Sequence, residues 1–137
     1  LISLEIGGFF GKDPCLFCGA DLAPEIIEAN AGITLPDTYQ DIFSYTEGFR
    51  ELVTYVRFSV SPDLVDEFIS STACVKPLIE IKPEAILDSP VDPEWWQPME
   101  AEVISTCVGS ADFYHQTIYV DQTLPAETII YVFSAVY

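Results

Sequence analysis

The chain has 137 residues, of which 22 are acidic and 5 are basic, and its formal net charge is −17. So few basic residues cannot form the Lys/Arg surface that binds nucleic acid, and an anionic membrane surface would repel the chain. Half of the residues are hydrophobic and 13% are aromatic, which argues against a disordered chain, and the length predicts one domain of ordinary size.

The first 22 residues are predicted to be a tether or leader stub, in front of a single domain over residues 23–137. They contain four of the seven glycines and a C-x-x-C pair. Their opening stretch, Leu1–Phe10, is apolar, as in the exit of a signal peptide, the stub of a membrane anchor or an ordinary edge strand. Membrane contact is therefore expected only through an anchor that includes or precedes residues 1–10.

The first predicted elements are one short helix and two strands. Pro24 suits the first turn of a helix and Gly32 suits its C-terminal cap, so a helix is expected over residues 24–31. A short strand is predicted over residues 41–45 and a stronger one over residues 51–59. The side chains of the stronger strand alternate between a core side and a more solvent-exposed, wetter side. The core side holds Val56, Phe58 and Val60, and the wetter side holds Tyr55, Arg57 and Ser59.

The main helix is predicted to start at Ser61 and Pro62 and to run to about Thr72. Serine is a good N-cap, proline suits the first helical position, and acidic residues follow in the first turn. Apolar residues recur with helical spacing and form one stripe that should pack on the sheet. The stripe consists of Leu64, Val65, Phe68 and Ile69.

The second half of the chain is predicted to be a proline-rich loop followed by three strands. Residues 76–98 contain five of the ten prolines, and a short edge strand is expected over residues 78–81. The three strands cover residues 102–108, 113–121 and 128–137, and their short links favour antiparallel neighbours. The predicted fold class is therefore α+β: an antiparallel sheet of about five strands, one main helix packed on a face, and a long proline-rich loop.

The four cysteines favour a disulfide framework, because an even count in a small domain is typical of oxidising compartments. The predicted bridges join Cys15 to Cys18 and Cys74 to Cys107. Free thiols and a structural zinc site are the alternatives, and zinc sites usually need two close-spaced ligand pairs. Redox catalysis is disfavoured because the C-x-x-C pair precedes any strong strand.

Four residues are candidates for a binding site: Glu94, Trp95, Trp96 and His115. Trp95 and Trp96 follow Glu94 in the proline-rich loop, where a tryptophan stacks on a sugar or a partner, or else plugs the edge of a core. His115, the single histidine, lies in a strand and is expected to be a hydrogen-bonded surface residue. No catalytic residues are assigned, because no serine or cysteine has a recognisable catalytic setting.

No metal and no cofactor are expected. The spacing of an EF-hand is absent, and the acidic residues near position 90 are interrupted by prolines. The glycines near the start of the chain lack the Lys-Ser/Thr of a phosphate-binding loop.

Three segments together resemble a group of uncharacterised exported bacterial proteins, many of them lipoproteins. The segments are a strand–helix unit from Tyr55 to Ile69, the paired-tryptophan loop over residues 94–98, and a terminal hairpin from Tyr119 to Val132. The resemblance implies export and lipid anchoring, and it implies no activity. No lipobox precedes Cys15, so a lipidated cysteine would lie upstream of Leu1.

The leading expectation is an exported or cell-surface acidic domain with a non-enzymatic interaction or structural role and an unidentified protein partner. One alternative is a small carboxylate-based hydrolase or a sugar-binding module that uses the Trp95/Trp96 loop. Another is an accessory subunit of a membrane complex, tethered through residues 1–10.

Overall fold

The computed structural model describes residues 18–48, 51–75, 77–87, 89 and 91–136. Within these ranges seven strands form one sheet, and every neighbouring pair is antiparallel. The order across the sheet is β1-β2-β3-β7-β6-β5-β4, so the last strand of the chain lies in the middle. The strands are β1 (Gly19–Ala20), β2 (Gln40–Gly48), β3 (Leu52–Val60), β4 (Ile79–Ile81), β5 (Ile104–Ala111), β6 (Tyr114–Asp121) and β7 (Thr128–Val136).

Two short helices accompany the sheet. Helix α1 (Pro24–Ala31) has the predicted bounds, with proline in its first turn and Gly32 at the C-cap, where φ is 69°. Such a left-handed cap favours glycine. Helix α2 (Val65–Ser70) follows a 3-10 turn over Pro62–Leu64.

Helix α2 ends earlier than predicted because two hydroxyl side chains bond back to its carbonyls. The Ser71 hydroxyl donates to the Phe68 carbonyl over 2.6 Å, and the Thr72 hydroxyl donates to the Ile69 carbonyl over 2.7 Å. Such local bonds compete with the helical pattern. The predicted apolar stripe is nevertheless buried from Val65 to Ile69.

The predicted antiparallel sheet is confirmed, whereas the expected count of about five strands and the expected single main helix differ from the structure. The described residues form a sheet-rich fold with seven strands and two short helices. Strand β4 lies at one edge of the sheet, within the edge strand expected over residues 78–81. Strand β1 has two residues, too few for an alternating pattern to appear in the sequence. Most of the predicted tether over residues 1–22, including residues 1–10, lies outside the described residues.

One face of the sheet, the helical face, is covered by α1 and α2. Its centre is aliphatic, and the ring of Phe58 meets the ring of Phe68 edge to face, with centroids 5.2 Å apart. Burying these side chains is the main favourable term in folding. The buried strand residues of this face are Val56, Phe58, Val60, Cys107, Ile118, Val120, Ile130 and Val132.

A row of polar side chains crosses the helical face near one end. Cross-strand pairing places Thr46, Thr54, Ser134 and Gln116 in this row, and all four are buried. The Gln116 amide nitrogen donates to the carbonyls of Ala31 and Gly32 over 2.7 and 2.9 Å. Its amide oxygen accepts from the Ala73 amide over 2.9 Å, so this residue joins the end of α1 to the segment after α2.

The opposite face, the loop face, is covered by the segment that joins β4 to β5, of which residues 82–87, 89 and 91–103 are described. This segment contains most of the predicted proline-rich loop and keeps that name below. The expectation that Tyr55, Arg57 and Ser59 lie on a wetter side is therefore wrong at Tyr55 and Ser59, which are only 5% and 8% exposed. The loop packs on the face that was expected to be exposed to solvent, so both faces of the central strands are buried.

Candidate functional site

Trp96 is the central contact between the proline-rich loop and the loop face. Its ring meets the rings of Tyr55 and Tyr131 edge to face, with centroids 5.0 and 5.3 Å apart, and lies 6.3 Å from that of Tyr119. Only 7% of the residue is exposed. Its position is that of a loop tryptophan that plugs the edge of a core.

Two polar contacts fix the loop beside Trp96. The Tyr55 hydroxyl donates to Asp92 Oδ1 over 3.1 Å, and Arg57 Nη1 donates to the Trp95 carbonyl over 3.0 Å. The guanidinium of Arg57 also lies 5.5 Å from the centre of the Tyr131 ring. Burial, followed by the hydrogen bond to Asp92, raises the pKa of Tyr55 well above its usual range. These contacts make the loop a fixed part of the domain.

Trp95 and Glu94 lie at the edge of this packing. The Trp95 ring is half-buried and stacks on Phe43, with centroids 5.8 Å apart and planes inclined by 26°. Phe43 itself is 38% exposed, and Glu94 is exposed. This edge, with Trp95 and Glu94, is the part of the predicted Trp95/Trp96 loop that faces solvent.

His115 pairs with a serine on the neighbouring strand. Its Nδ1 lies 2.9 Å from the Ser110 hydroxyl, and the two residues are direct cross-strand partners in β5 and β6. A serine and a histidine in contact are the first two parts of a nucleophilic triad, which also needs a group that orients the base. Among the described residues no other side chain bonds to the His115 ring, and the serine is exposed.

The predicted bridge between Cys74 and Cys107 is confirmed. Their Cα atoms are 5.6 Å apart, and the bond ties the segment after α2 to β5. Cys18 is disulfide-bonded, but Cys15 lies outside the described residues, so the predicted Cys15–Cys18 pairing stays a prediction. No group of three or more metal-binding side chains occurs in the described part of the chain.

A cleft of about 780 Å³ lies at one end of the sheet. We call it the sheet-end cleft. It forms where β2 begins, β3 ends and β7 begins, because Gln40 pairs with Ser59 and Ser59 pairs with Ile129. Its lining residues are Asp37, Thr38, Tyr39, Gln40, Ser59, Val60, Ser61, Ala126 and Glu127. Sequence reasoning missed the cleft, because strand pairing alone brings these three separate stretches together.

The charge around the described residues is strongly one-sided. Of the five basic residues in the chain, only Arg57 and Lys82 lie in the described ranges. Arg57 is half-buried and its guanidinium is held by the Trp95 carbonyl, whereas Lys82 is exposed. The lining of the sheet-end cleft holds two carboxylates and no basic side chain. The described surface is therefore suited to cations and disfavours anions.

No family model, curated protein or solved structure matches this chain. The resemblance to exported bacterial proteins therefore stays a prediction. None of the helices in the described part of the chain combines the length and the apolar character needed to cross a bilayer.

Proposed function

We propose that this chain works outside the cytoplasm as a non-enzymatic interaction domain whose partner presents positive charge. The observation that carries the proposal is the charge: the chain has a net charge of −17, and Arg57 and Lys82 are the basic residues in the described ranges. A surface of one sign steers oppositely charged partners toward the protein and rejects partners of the same sign.

Export is supported by the Cys74–Cys107 disulfide. Disulfides form and persist in oxidising environments and are rare where thiol reductants are abundant. Both cysteines belong to the core of the helical face, where Cys74 is 9% exposed and Cys107 is 4% exposed. A bridge in this position is a structural one that stabilises the domain, and it requires a compartment in which it can form.

Selection of peptides from a random displayed library, with the immobilised domain as bait, tests the partner class. We expect the selected peptides to be rich in lysine and arginine. Their binding should weaken as sodium chloride rises, because the screening length falls from about 10 Å at 0.1 M salt to about 3 Å at 1 M. Selection of neutral or acidic peptides whose binding is insensitive to salt would contradict the proposal.

Thiol trapping tests the compartment. Intact cells that produce the chain are treated with an alkylating reagent before lysis, and the peptides that carry Cys74 and Cys107 are analysed by mass spectrometry. We expect both residues to be found as a disulfide. Recovery of both as alkylated thiols, in cells whose known secreted proteins remain oxidised, would rule out export.

A second candidate, a sugar-binding surface at Trp95, is favoured by the stacked Trp95–Phe43 pair beside the exposed Glu94. Aromatic rings that are partly exposed and held in place can stack on a sugar ring. Binding of neutral oligosaccharides on an array, lost in Trp95→Ala and kept in a control such as Phe113→Ala, would support this candidate. Phe113 is also exposed, but it lies in the turn between β5 and β6.

A further inference from the structure

Three aromatic rings lie next to one another on the loop face, where the proline-rich loop meets β2. The Trp95 ring stacks on Phe43, and Tyr45 follows two positions further along the strand, so its side chain lies on the same face. Phe43 is 38% exposed, and the other two rings are half-buried against the cluster around Trp96. We call Phe43, Tyr45 and Trp95 the aromatic shelf. Its rings are held in place and are still reached by solvent.

A bulge at the start of β2 places the shelf on the loop face. The pairing with β3 shifts between Gln40 and Phe43, so that two residues of β2 stand opposite one residue of β3. Asp41, in this bulge, has a φ of 53°, a left-handed conformation that aspartate tolerates better than most residues. With regular pairing Phe43 would lie opposite Val56 on the helical face, but the bulge pairs it with Arg57 instead. The exposed ring is therefore a consequence of the strand geometry.

Within the described residues, the outer side of the shelf is open. The neighbouring strand β1 consists of Gly19 and Ala20, and Ala20 is the cross-strand partner of Tyr45. Cross-strand partners lie on the same face, so a single methyl group is all that β1 adds beside this ring. Ala20 is itself exposed. A ligand can therefore approach the rings from this side of the sheet.

The charge beside the shelf is net negative. Glu47 is exposed and accepts a hydrogen bond from the Tyr45 hydroxyl over 3.3 Å, and its charge raises the pKa of that hydroxyl. Glu94, also exposed, is the neighbour of Trp95 in the chain. The guanidinium of Arg57 already donates to the Trp95 carbonyl, and it balances one of the two carboxylates. Exposed rings beside negative charge favour a ligand that is both flat and cationic.

We propose that the aromatic shelf binds an arginine side chain of a basic protein partner. The guanidinium stacks on a ring of the shelf, and the carboxylates of Glu47 and Glu94 attract its charge. Arginine fits better than lysine, because a guanidinium is planar, weakly hydrated and stacks on aromatic faces, whereas an ammonium is a compact, strongly hydrated point charge. This proposal rests on the proposed function, since it says where and through which side chain a basic partner docks. A neutral sugar would meet the same rings but would not be drawn by the negative charge.

The test is a calorimetric titration of the whole chain with three peptides of equal length. Each peptide carries four copies of one residue, spaced by glycine and serine: arginine, lysine, or citrulline, which resembles arginine in shape but has no charge. We expect the arginine peptide to bind about fivefold more tightly than the lysine peptide and about tenfold or more above the citrulline peptide. Equal binding of the arginine and lysine peptides would overturn the role of the rings. Equal binding of the arginine and citrulline peptides would overturn the role of charge.

Substitutions of two aromatic residues locate the binding. Trp95→Ala should weaken the arginine peptide about fivefold and remove its preference over the lysine peptide. Phe113→Ala removes an exposed ring in the turn between β5 and β6 and should leave both affinities unchanged. Trp95→Phe keeps a ring and should retain part of the preference, so the test does not depend on the folding of Trp95→Ala. Equal weakening by Trp95→Ala and Phe113→Ala would contradict the shelf while leaving the proposed function standing.

Two substitutions with the same change in charge test the carboxylate. Glu47→Gln keeps an oxygen that can accept from Tyr45 and should weaken the arginine peptide about threefold, the range of an exposed ion pair. Glu80→Gln, at an exposed position in β4, should leave the affinity unchanged. Equal effects of the two variants would mean that charge acts diffusely and would contradict the shelf.

Two further outcomes separate this proposal from the others. Binding of neither charged peptide would contradict both the shelf and the proposed function. Binding of a neutral oligosaccharide that is lost in Trp95→Ala, together with arginine-peptide binding that is unaffected by the same substitution, would assign the rings to a sugar. That result would overturn arginine as the ligand of the shelf while leaving a basic partner elsewhere on the surface.

Discussion

On the helical face, α1 and α2 cover the sheet with aliphatic side chains and Phe68, whereas on the loop face an irregular segment covers it with one large ring, Trp96. The helices contribute several buried residues each, at positions that recur along the chain. The loop is held by Trp96, by a smaller apolar cluster that contains Ile86 and Ala101, and by polar contacts from Tyr55 and Arg57. The helical face thus spreads its stabilisation over many contacts, and the loop face concentrates it in a few.

This difference predicts different responses to damage. A change in the helical core affects strands and helices that are packed together, so it should be felt by the whole domain. A change at Trp96 should first release the loop, because segments with few buried contacts open at lower cost than the core. Four substitutions test this distinction, from the largest expected effect to the smallest.

Phe68→Ala should give the largest loss. Phe68 is 2% exposed and packs against Phe58, so the substitution removes a buried ring and leaves a cavity. We expect the free energy of unfolding to fall by about 3–5 kcal/mol. Urea unfolding followed by circular dichroism measures the change. Asp66→Ala, on the exposed side of the same helix, is the control. A loss below about 1 kcal/mol would show that α2 is not part of the core.

Trp96→Ala should cost about 3 kcal/mol, the lower end for a buried aromatic ring, because the loop can move away from the sheet. Cleavage by a protease should increase within residues 82–103 before the domain unfolds. Limited proteolysis with mass spectrometry locates the cuts, and Trp95→Ala, at a half-buried position, should change them less. Global unfolding without early cleavage of the loop would mean that the two faces are not separable.

The same difference explains what could be predicted from the sequence. Helix α1 was predicted with its bounds because Pro24 and Gly32 act locally, and β3 was predicted because its alternation is local. The cover of the loop face was not predicted. This cover depends on contacts between distant residues, such as Tyr55 and Asp92, which are 37 positions apart. In the sequence, the alternating Tyr55, Arg57 and Ser59 are typical of a face that is exposed to solvent.

The sheet-end cleft could not be predicted from the sequence for a related reason. Its walls come from residues 37–40, 59–61 and 126–127, and the bulge at Asp41 is a property of strand register. Register in turn depends on how both faces are buried, which a single sequence does not reveal. The disulfide between Cys74 and Cys107 could be predicted, because the sequence indicated both the helix before Cys74 and the strand that contains Cys107.

Tyr55→Phe tests the polar contacts of the loop face. At neutral pH the variant loses one hydrogen bond to Asp92 and should be less stable by about 1 kcal/mol. Burial and Asp92 raise the pKa of Tyr55 in the folded state, so the folded protein holds this proton more tightly than the unfolded chain. The resulting stability is present below the unfolded pKa of about 10 and is lost as the pH rises above it.

Wild-type stability should therefore fall more steeply above about pH 10 than that of the Tyr55→Phe variant. Chemical unfolding at a series of alkaline pH values measures the two slopes. Tyr45→Phe is the control, because the pKa of Tyr45 is raised mainly by the charge of the neighbouring Glu47 at the surface. Parallel curves for the wild type and the Tyr55→Phe variant would show that the hydroxyl of Tyr55 is not held in the folded state.

Ser134→Ala should have the smallest effect, and its sign is informative. Ser134 lies in the polar row of the helical face between Thr54 and Gln116, yet its hydroxyl oxygen has no hydrogen-bond partner among the described groups. Removing a buried hydroxyl that lacks a partner abolishes a desolvation cost, whereas removing a bonded one adds a cost of about 1 kcal/mol.

We therefore expect the melting temperature of Ser134→Ala to equal or exceed that of the wild type. Gln116→Leu is the matched comparison in the same row, because it leaves two carbonyls and one amide without the partner that now bonds to them. It should lower stability by about 1–3 kcal/mol. Calorimetric melting of the three proteins measures both changes. A clear loss in Ser134→Ala would mean that the hydroxyl has a partner in solution and that the polar row is continuous across the sheet.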